Sequence, residues 1–505
     1  MVDDDIMGCT GRPAGLERIS MTRFTGKFAC GIAAAALLAG TALAHTQAAQ
    51  TPASRGAMIP GGQQQGGPQP AKVPSPTPTP TPTPAPTSGE AFKSAFPQTV
   101  SQPVVQEGME KPAPLVQPWT VANATKLVAA IEAIGSEGLD PKDYDLGPLK
   151  VAIGGGASAG LDAMASQSFV WLVEDLRDGR TPMDARTQWF VVDPDRDTLR
   201  TGDLLAEAVK SGDIAGTLAR LAPTHPDYAR LKAELAKTPA SAAAKSKLIR
   251  ANMDRWRWLA RDLGPQYLIT NVPEFQLRLT VKDKIISTYR TIVGKPGRTA
   301  TPQLAEMVEG VVFNPTWTVP QSIVKGEGLG PRALGNPAWA KRNGYVATRS
   351  ANGMITVVQQ PGPGNSLGQM KLEMPNEHAI FFHDTPSRHL FANDQRALSH
   401  GCVRTERALE LAITMAILGK GATKEEALAI STSGKYTKLP LQKQFPAYIT
   451  YFTMASDING EMATFADIYG RDTPVLASLD KPRVRNRSNV VDDEVIVIED
   501  DLQDS

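Results

Sequence analysis

Between residues 121 and 263 apolar positions recur every three or four residues, and from Gln266 onward they recur every two. The first period belongs to amphipathic helices and the second to half-buried strands, so the chain reads as a helical part followed by a β-rich part. Leu127, Val128, Ile131 and Ile134 fall on one helical face that Gly135 or Gly138 ends. Phe169, Leu172, Val173 and Leu176 repeat the pattern on a helix stopping near Gly179. Residues 203–236 predict further helix broken by Pro223 and Pro226, and Leu248 to Leu263 predicts another, rich in Trp and Arg. Strands are then expected at Tyr267–Val272, Phe275–Val281, Ser287–Val293, Val311–Phe313, Ile355–Val358, Ala379–Phe382 and Tyr448–Phe452, with a helix from Glu406 to Leu418. Asn314 to Ser366 is rich in Pro and Gly and reads as a long loop, the kind of insertion that serves as a lid. Gly154-Gly-Gly-Ala reads as an interhelical loop, because no Lys-Ser or Lys-Thr follows to make it a phosphate cradle.

The two ends carry different information. Arg23 and Lys27 precede an apolar run from Phe28 to Leu38, and Ala42-Leu43-Ala44 follows; together they predict an export signal at 1–44 cleaved after Ala44, too short to remain as a membrane span. Residues 1–20 look like no part of such a signal, which leaves Met1 and Met21 as alternative starts. Cleavage would remove Cys9 and Cys30, leaving Cys402 with no disulfide partner, and no cysteine stands where lipidation would need one. A periplasmic location is the expectation. Residues 45–110 open with Gln, Gly and Thr-Pro repeats that favour extended polyproline II and predict a semi-rigid spacer. The last fifteen residues hold seven acids and read as a solvated tail. The formal charge of +1 lacks the basic excess that nucleic-acid binding requires.

The chemistry concentrates in His383-Asp384-Thr385-Pro386 and Ser399-His400-Gly401-Cys402-Val403-Arg404. A lone cysteine is commonly a small buried hydrophobe. Here Gly401 permits a tight backbone, a helix is expected to begin just afterwards, and Arg404 is near; each would lower the thiol pKa. The N–H groups of Gly401 and Cys402 are candidates for an oxyanion hole. His383, at the end of an apolar strand, is the preferred base, and His400 is assigned to packing and orienting the nucleophile loop. His378, His383, His389, His400 and Cys402 could supply zinc by residue type, but no His-Glu-x-x-His or Cys-x-x-Cys spacing is present, so neither metal nor other cofactor is expected.

The run from His383 to Arg404 resembles the signature of the L,D-transpeptidase catalytic domain of YkuD type. Asn271-Val-Pro-Glu-Phe-Gln-Leu, Val293-Gly-Lys-Pro-Gly-Arg-Thr-Ala-Thr-Pro and Asn314-Pro-Thr-Trp-Thr-Val-Pro extend the resemblance over about 266–418. Gly138-Leu-Asp-Pro, Asp175-Leu-Arg-Asp-Gly-Arg and Leu221-Ala-Pro-Thr-His-Pro-Asp-Tyr resemble the helical scaffold of the larger, YcbB-like members. The small wall-binding module often found in those relatives has no room between Leu235 and the Leu248 helix.

The implied fold is α+β and multidomain: a helical scaffold at 111–247, a catalytic domain at 248–455 with a lid at about 314–366, and a C-terminal extension at 456–505. The implied reaction has Cys402 attack a tetrapeptide stem of peptidoglycan, expel D-alanine, and pass the thioester to an amine in a 3→3 cross-link. His383 would act as base, with the carbonyl of Asp384 holding its ring. Arg404, Ser399 and Trp317 would meet the substrate, and carbapenems would acylate the thiol. Two alternatives stay open: transfer to an outer-membrane protein amine or to water, and a non-catalytic wall-binding scaffold.

Overall fold

The computed structural model describes residues 115–191 and 195–485. The proposed export signal, most of the spacer and the acidic tail lie outside the described residues.

Six principal helices make the first layer: Val121–Ala133, Leu146–Gly154, Ala159–Asp178, Thr201–Ser211, Pro226–Lys237 and Ala243–Trp256. The first is capped by Thr120, whose hydroxyl accepts from the Asn123 N–H, and it buries Ala124, Leu127, Val128 and Ile131. A short 3₁₀ turn follows and ends at Gly138, which adopts φ +74°. The long helix Ala159–Asp178 runs through the middle of this layer's core, burying Phe169, Leu172, Val173 and Leu176. The Trp- and Arg-rich stretch is helical from Ala243 rather than Leu248 and turns out of helix after Trp256. Its indoles then pack with Tyr267, Ile269, Tyr448 and Phe452 of the β-rich part, so this helix joins the two halves.

The strands are β1 Gln266–Asn271, β2 Gln276–Val281, β3 Lys284–Gly294, β4 Leu304–Phe313, β5 Trp317–Thr318, β6 Tyr345–Arg349, β7 Ile355–Gln359, β8 Met370–Glu373, β9 Phe382–His383, β10 Ala397–Ser399, β11 Val403–Thr405, β12 Thr437–Thr450, β13 Met454–Ser456 and β14 Met462–Thr464. Nine of them form one sheet in the order β10-β3-β11-β9-β8-β4-β12-β1-β2, and β2 also pairs with β3, so the sheet closes on itself. Val308, Phe313, Leu372, Phe382, Val403 and Phe445 fill its interior against the helix Ala408–Met415. The strand expected at Ala379–Phe382 is confined to Phe382 and His383, because Ala379 takes φ +53° and bends the chain before them.

The segment 314–366 is not the loop expected. It holds helices Gln321–Gly326, Leu329–Gly335 and Pro337–Arg342 and a small sheet in the order β5-β7-β6. Val319, Val324, Leu329 and Val357 give it a core of its own. Helices of six or seven residues are too short to print a period, and their Pro and Gly residues act as caps.

Beyond β12 the chain returns to both layers. Arg255 of the last scaffold helix pairs with Asp472, and Arg483 reaches Asp175 and Glu174.

Candidate active site

Three neighbouring strands align three side chains. Lys371 of β8 lies opposite His383 of β9, and His383 lies beside Arg404 of β11 in parallel register. Their flanking residues Leu372, Phe382 and Val403 enter the core, so alternation places Lys371, His383 and Arg404 together on the other face. Cys402 immediately precedes β11, where the Val403 N–H bonds to the Phe381 carbonyl. The Cys402 thiol donates to the Ala379 carbonyl at 3.5 Å.

Each titrating group departs from its ordinary value. Loss of water pushes the Cys402 thiol up to about 11, opposed by the Phe381 N–H and the charges of Lys371 and Arg404. Burial, with the nearby charge of Arg404, holds His383 down at about 3. Its Nδ1 lies 2.6 Å from the Asp384 carbonyl oxygen. A carbonyl only accepts, so Nδ1 carries the proton and Nε2 is left basic. The Asp384 side chain is engaged elsewhere: its carboxylate accepts from the Gln369 N–H and from Arg388.

The nucleophile loop is tied internally. The Ser399 hydroxyl donates to the Cys402 carbonyl at 2.6 Å and accepts from the Gly401 N–H at 3.1 Å. Ser399 is buried, so its hydroxyl shapes the loop where the sequence suggested a substrate contact. The Gly401 N–H, expected in the oxyanion hole, is the one that Ser399 engages. The Cys402 N–H has no acceptor within the protein among the described residues. Gly401 itself adopts φ +118°, a conformation closed to side-chain-bearing residues.

The helix expected from Glu406 begins at Ala408, after β11 and a turn through Arg407 at φ +50°. A helix dipole therefore does not lower the thiol pKa, and desolvation raises it. Trp317 packs half-buried against the separate core of the 314–366 segment. His400 is half-buried and its ring makes no hydrogen bond among the described residues; burial and the charges of Lys295 and Arg404 lower its pKa, while the charge of Glu327 opposes them.

Lys371 is the residue the sequence did not flag. Its ammonium sits 4.1 Å from the Phe381 ring centroid, and neither it nor Arg404 pairs with a carboxylate among the described residues. The face around Cys402 is therefore cationic, built to receive an anionic group. Nor do three His, Cys, Asp or Glu side chains gather closely enough to hold a metal ion among the described residues.

Comparison with known proteins matches residues 265–424 to the L,D-transpeptidase catalytic domain, YkuD, and residues 118–235 to the scaffold domain. A Haemophilus influenzae protein carrying the curated name "Putative L,D-transpeptidase" is 29% identical over 223 residues, 41% of this chain and 45% of that relative. The chain thus spans about half the length of that curated relative. Two solved structures each overlie 37% of the chain. The Ldtfm–avibactam carbamoyl enzyme has 10% identity, a TM-score of 0.19 and 49% of its own length covered. The L,D-transpeptidase from Mycobacterium smegmatis has 11% identity, a TM-score of 0.18 and 58% covered.

Proposed function

The chain carries an L,D-transpeptidase catalytic domain of YkuD type behind a scaffold domain, and on that premise we propose that it is a cysteine acyltransferase forming 3→3 cross-links in peptidoglycan. The observation that carries the reading is the alignment of Cys402, His383 and the Asp384 carbonyl on adjacent strand ends, beside Lys371 and Arg404, which pair with no carboxylate among the described residues.

In this reading the thiol and the imidazole are both neutral at rest, so the proton moves as the sulfur attacks. His383 Nε2 takes the Cys402 proton while sulfur bonds to the carbonyl carbon between the third and fourth residues of a tetrapeptide stem. The oxyanion that forms is met by the Cys402 N–H. As the intermediate collapses, the C–N bond breaks, and the imidazolium returns its proton to the departing amine of D-alanine. An acceptor amine then loses its proton to His383 and attacks the thioester. A new amide forms, the C–S bond breaks, and the thiolate recovers its proton. Lys371 and Arg404 hold stem carboxylates, and Arg404 can do so bidentately. The Ala42-Leu43-Ala44 pattern supports export to the compartment where such stems are found.

The test is to incubate the chain with purified disaccharide tetrapeptide and weigh the products. Release of D-alanine together with a 3→3 dimer, through a thioester on Cys402, is expected; Cys402→Ala should form neither. A tripeptide with no dimer would identify water as the acceptor, and turnover by Cys402→Ala would remove the sulfur from its role.

A further inference from the structure

The main chain of the nucleophile loop is held from behind by residues distant in sequence. The Thr301 hydroxyl donates to the Gly401 carbonyl at 2.7 Å and accepts from the Gly294 N–H at 2.8 Å. Tyr469 closes the same loop: its hydroxyl donates to the Gly294 carbonyl at 2.6 Å and accepts from the Thr301 N–H at 3.3 Å. Arg471 donates to the Thr301 carbonyl at 3.1 Å, and its guanidinium lies over the rings of both Tyr451 and Tyr469. Thr301 is fully buried and Arg471 nearly so. Tyr469 and Arg471 belong to the C-terminal extension, beyond the end of the catalytic-domain match at residue 424.

The peptide unit joining Gly401 to Cys402 is planar and trans, so its C=O and N–H point in opposite directions. Gripping the Gly401 oxygen from the buried side therefore aims the Cys402 N–H the opposite way, away from Thr301. At Gly401, with no Cβ to restrict rotation, that plane would otherwise turn readily. We propose that Thr301 is a positioning residue that fixes the oxyanion-binding N–H of Cys402, and that the C-terminal extension, through Tyr469 and Arg471, completes the active site by holding Thr301. The inference rests on the acyl-transfer reading above and adds to it a part for a segment outside the recognised catalytic domain.

Two reactions of one sulfur separate this role from a general loosening of the fold. Acylation by the tetrapeptide stem passes through an oxyanion; alkylation by iodoacetamide displaces iodide and forms none. Both are followed in the full chain by mass spectrometry of the peptide containing Cys402. Thr301→Val should slow acylation by about 10²-fold, with the loss in kcat rather than KM, and leave alkylation unchanged. Thr301→Ser, which keeps the hydroxyl, should restore acylation. Tyr469→Phe should slow it by less than Thr301→Val, again without touching alkylation. Equal slowing of both reactions in these variants, or normal acylation in Thr301→Val, overturns the proposal. Should Thr301→Val fail to fold, Tyr469→Phe decides by the same comparison. Absence of acylation in the unsubstituted chain overturns the acyl-transfer reading, and this inference with it.

Discussion

The 2.6 Å approach of His383 Nδ1 to the Asp384 carbonyl oxygen fixes the tautomer of the ring and leaves one basic nitrogen for the sulfur. The same burial that makes this bond strong removes water from both reacting groups. His383 lies far below an ordinary histidine and Cys402 above an ordinary thiol, so the neutral pair is the resting form.

A pH profile of thiol alkylation follows directly. With the Cys402 pKa near 11, the thiolate fraction rises tenfold per pH unit through the neutral range. Iodoacetamide should therefore react ever faster up to about pH 10, with no plateau between pH 6 and 8. Stopped-flow rates across that range check it; a plateau beginning near pH 6 would reveal a thiolate–imidazolium pair already formed at rest.

Stability should respond at the acid end. The folded-state pKa of His383, about 3, lies below the roughly 6.5 of an unfolded histidine, so between these values the unfolded chain binds the extra proton. The fold loses up to about 1.4 kcal/mol per pH unit from this group as pH falls through that window, and nothing above it. His400 and His225 are also lowered and act in the same direction. His383→Asn, which keeps a side-chain N–H for the Asp384 carbonyl, should shed the His383 share. Urea midpoints at pH 7 and pH 4.5 measure it, and an unchanged difference between them would contradict the shift.

What the sequence disclosed and what it hid differ by sequence distance. Cys402 and His383 are nineteen residues apart in a recognisable run, and the strand ends that unite them were marked by apolar Ile380-Phe-Phe and by the glycine before the cysteine. Lys371 is near His383 in sequence, but it sits in a four-residue strand too short to show alternation and in no recognisable motif, so no local pattern joins it to His383. Thr301 reaches Gly401 across 100 positions, and Tyr469 reaches Gly294 across 175. Neither is an uncommon residue in an uncommon place until the chain is folded. The strand Val403–Thr405 went unread because three residues are too few to show alternation, whereas the longer apolar helix beyond it was legible to within two residues of its start.

Gly368 tests how closely the turn before β8 packs on Asp384. It adopts φ +62°, and a methyl group there would lie 2.6 Å from the Asp384 Cβ and closer still to the carboxylate. Gly368→Ala should destabilise the fold by about 1–3 kcal/mol. It should also disturb the Asp384 backbone and so slow acylation. Thermal melting and acylation rates check both effects; a melting point within a degree of the unsubstituted chain would show that this turn yields freely.

Lys371 offers a sharper test of substrate charge. Its ammonium lies beside His383 and over Phe381 with no carboxylate of its own among the described residues, an arrangement that leaves the cation for an incoming anion. Removing the charge in Lys371→Met keeps the stem of the side chain against the ring and deletes only the ammonium. Affinity for the tetrapeptide should fall about tenfold, since a hydrogen bond to a charged group contributes roughly 1.5–3 kcal/mol when shielded and less when wet. The thiol should become still harder to ionise, because Lys371 is one of the two cations that oppose its desolvation. Lys371→Arg should recover most of the binding. A tetrapeptide carrying amidated carboxyl groups should bind the unsubstituted chain and Lys371→Met alike; a full tenfold gap persisting with that substrate would show that Lys371 acts on the protein's own groups and not on the stem.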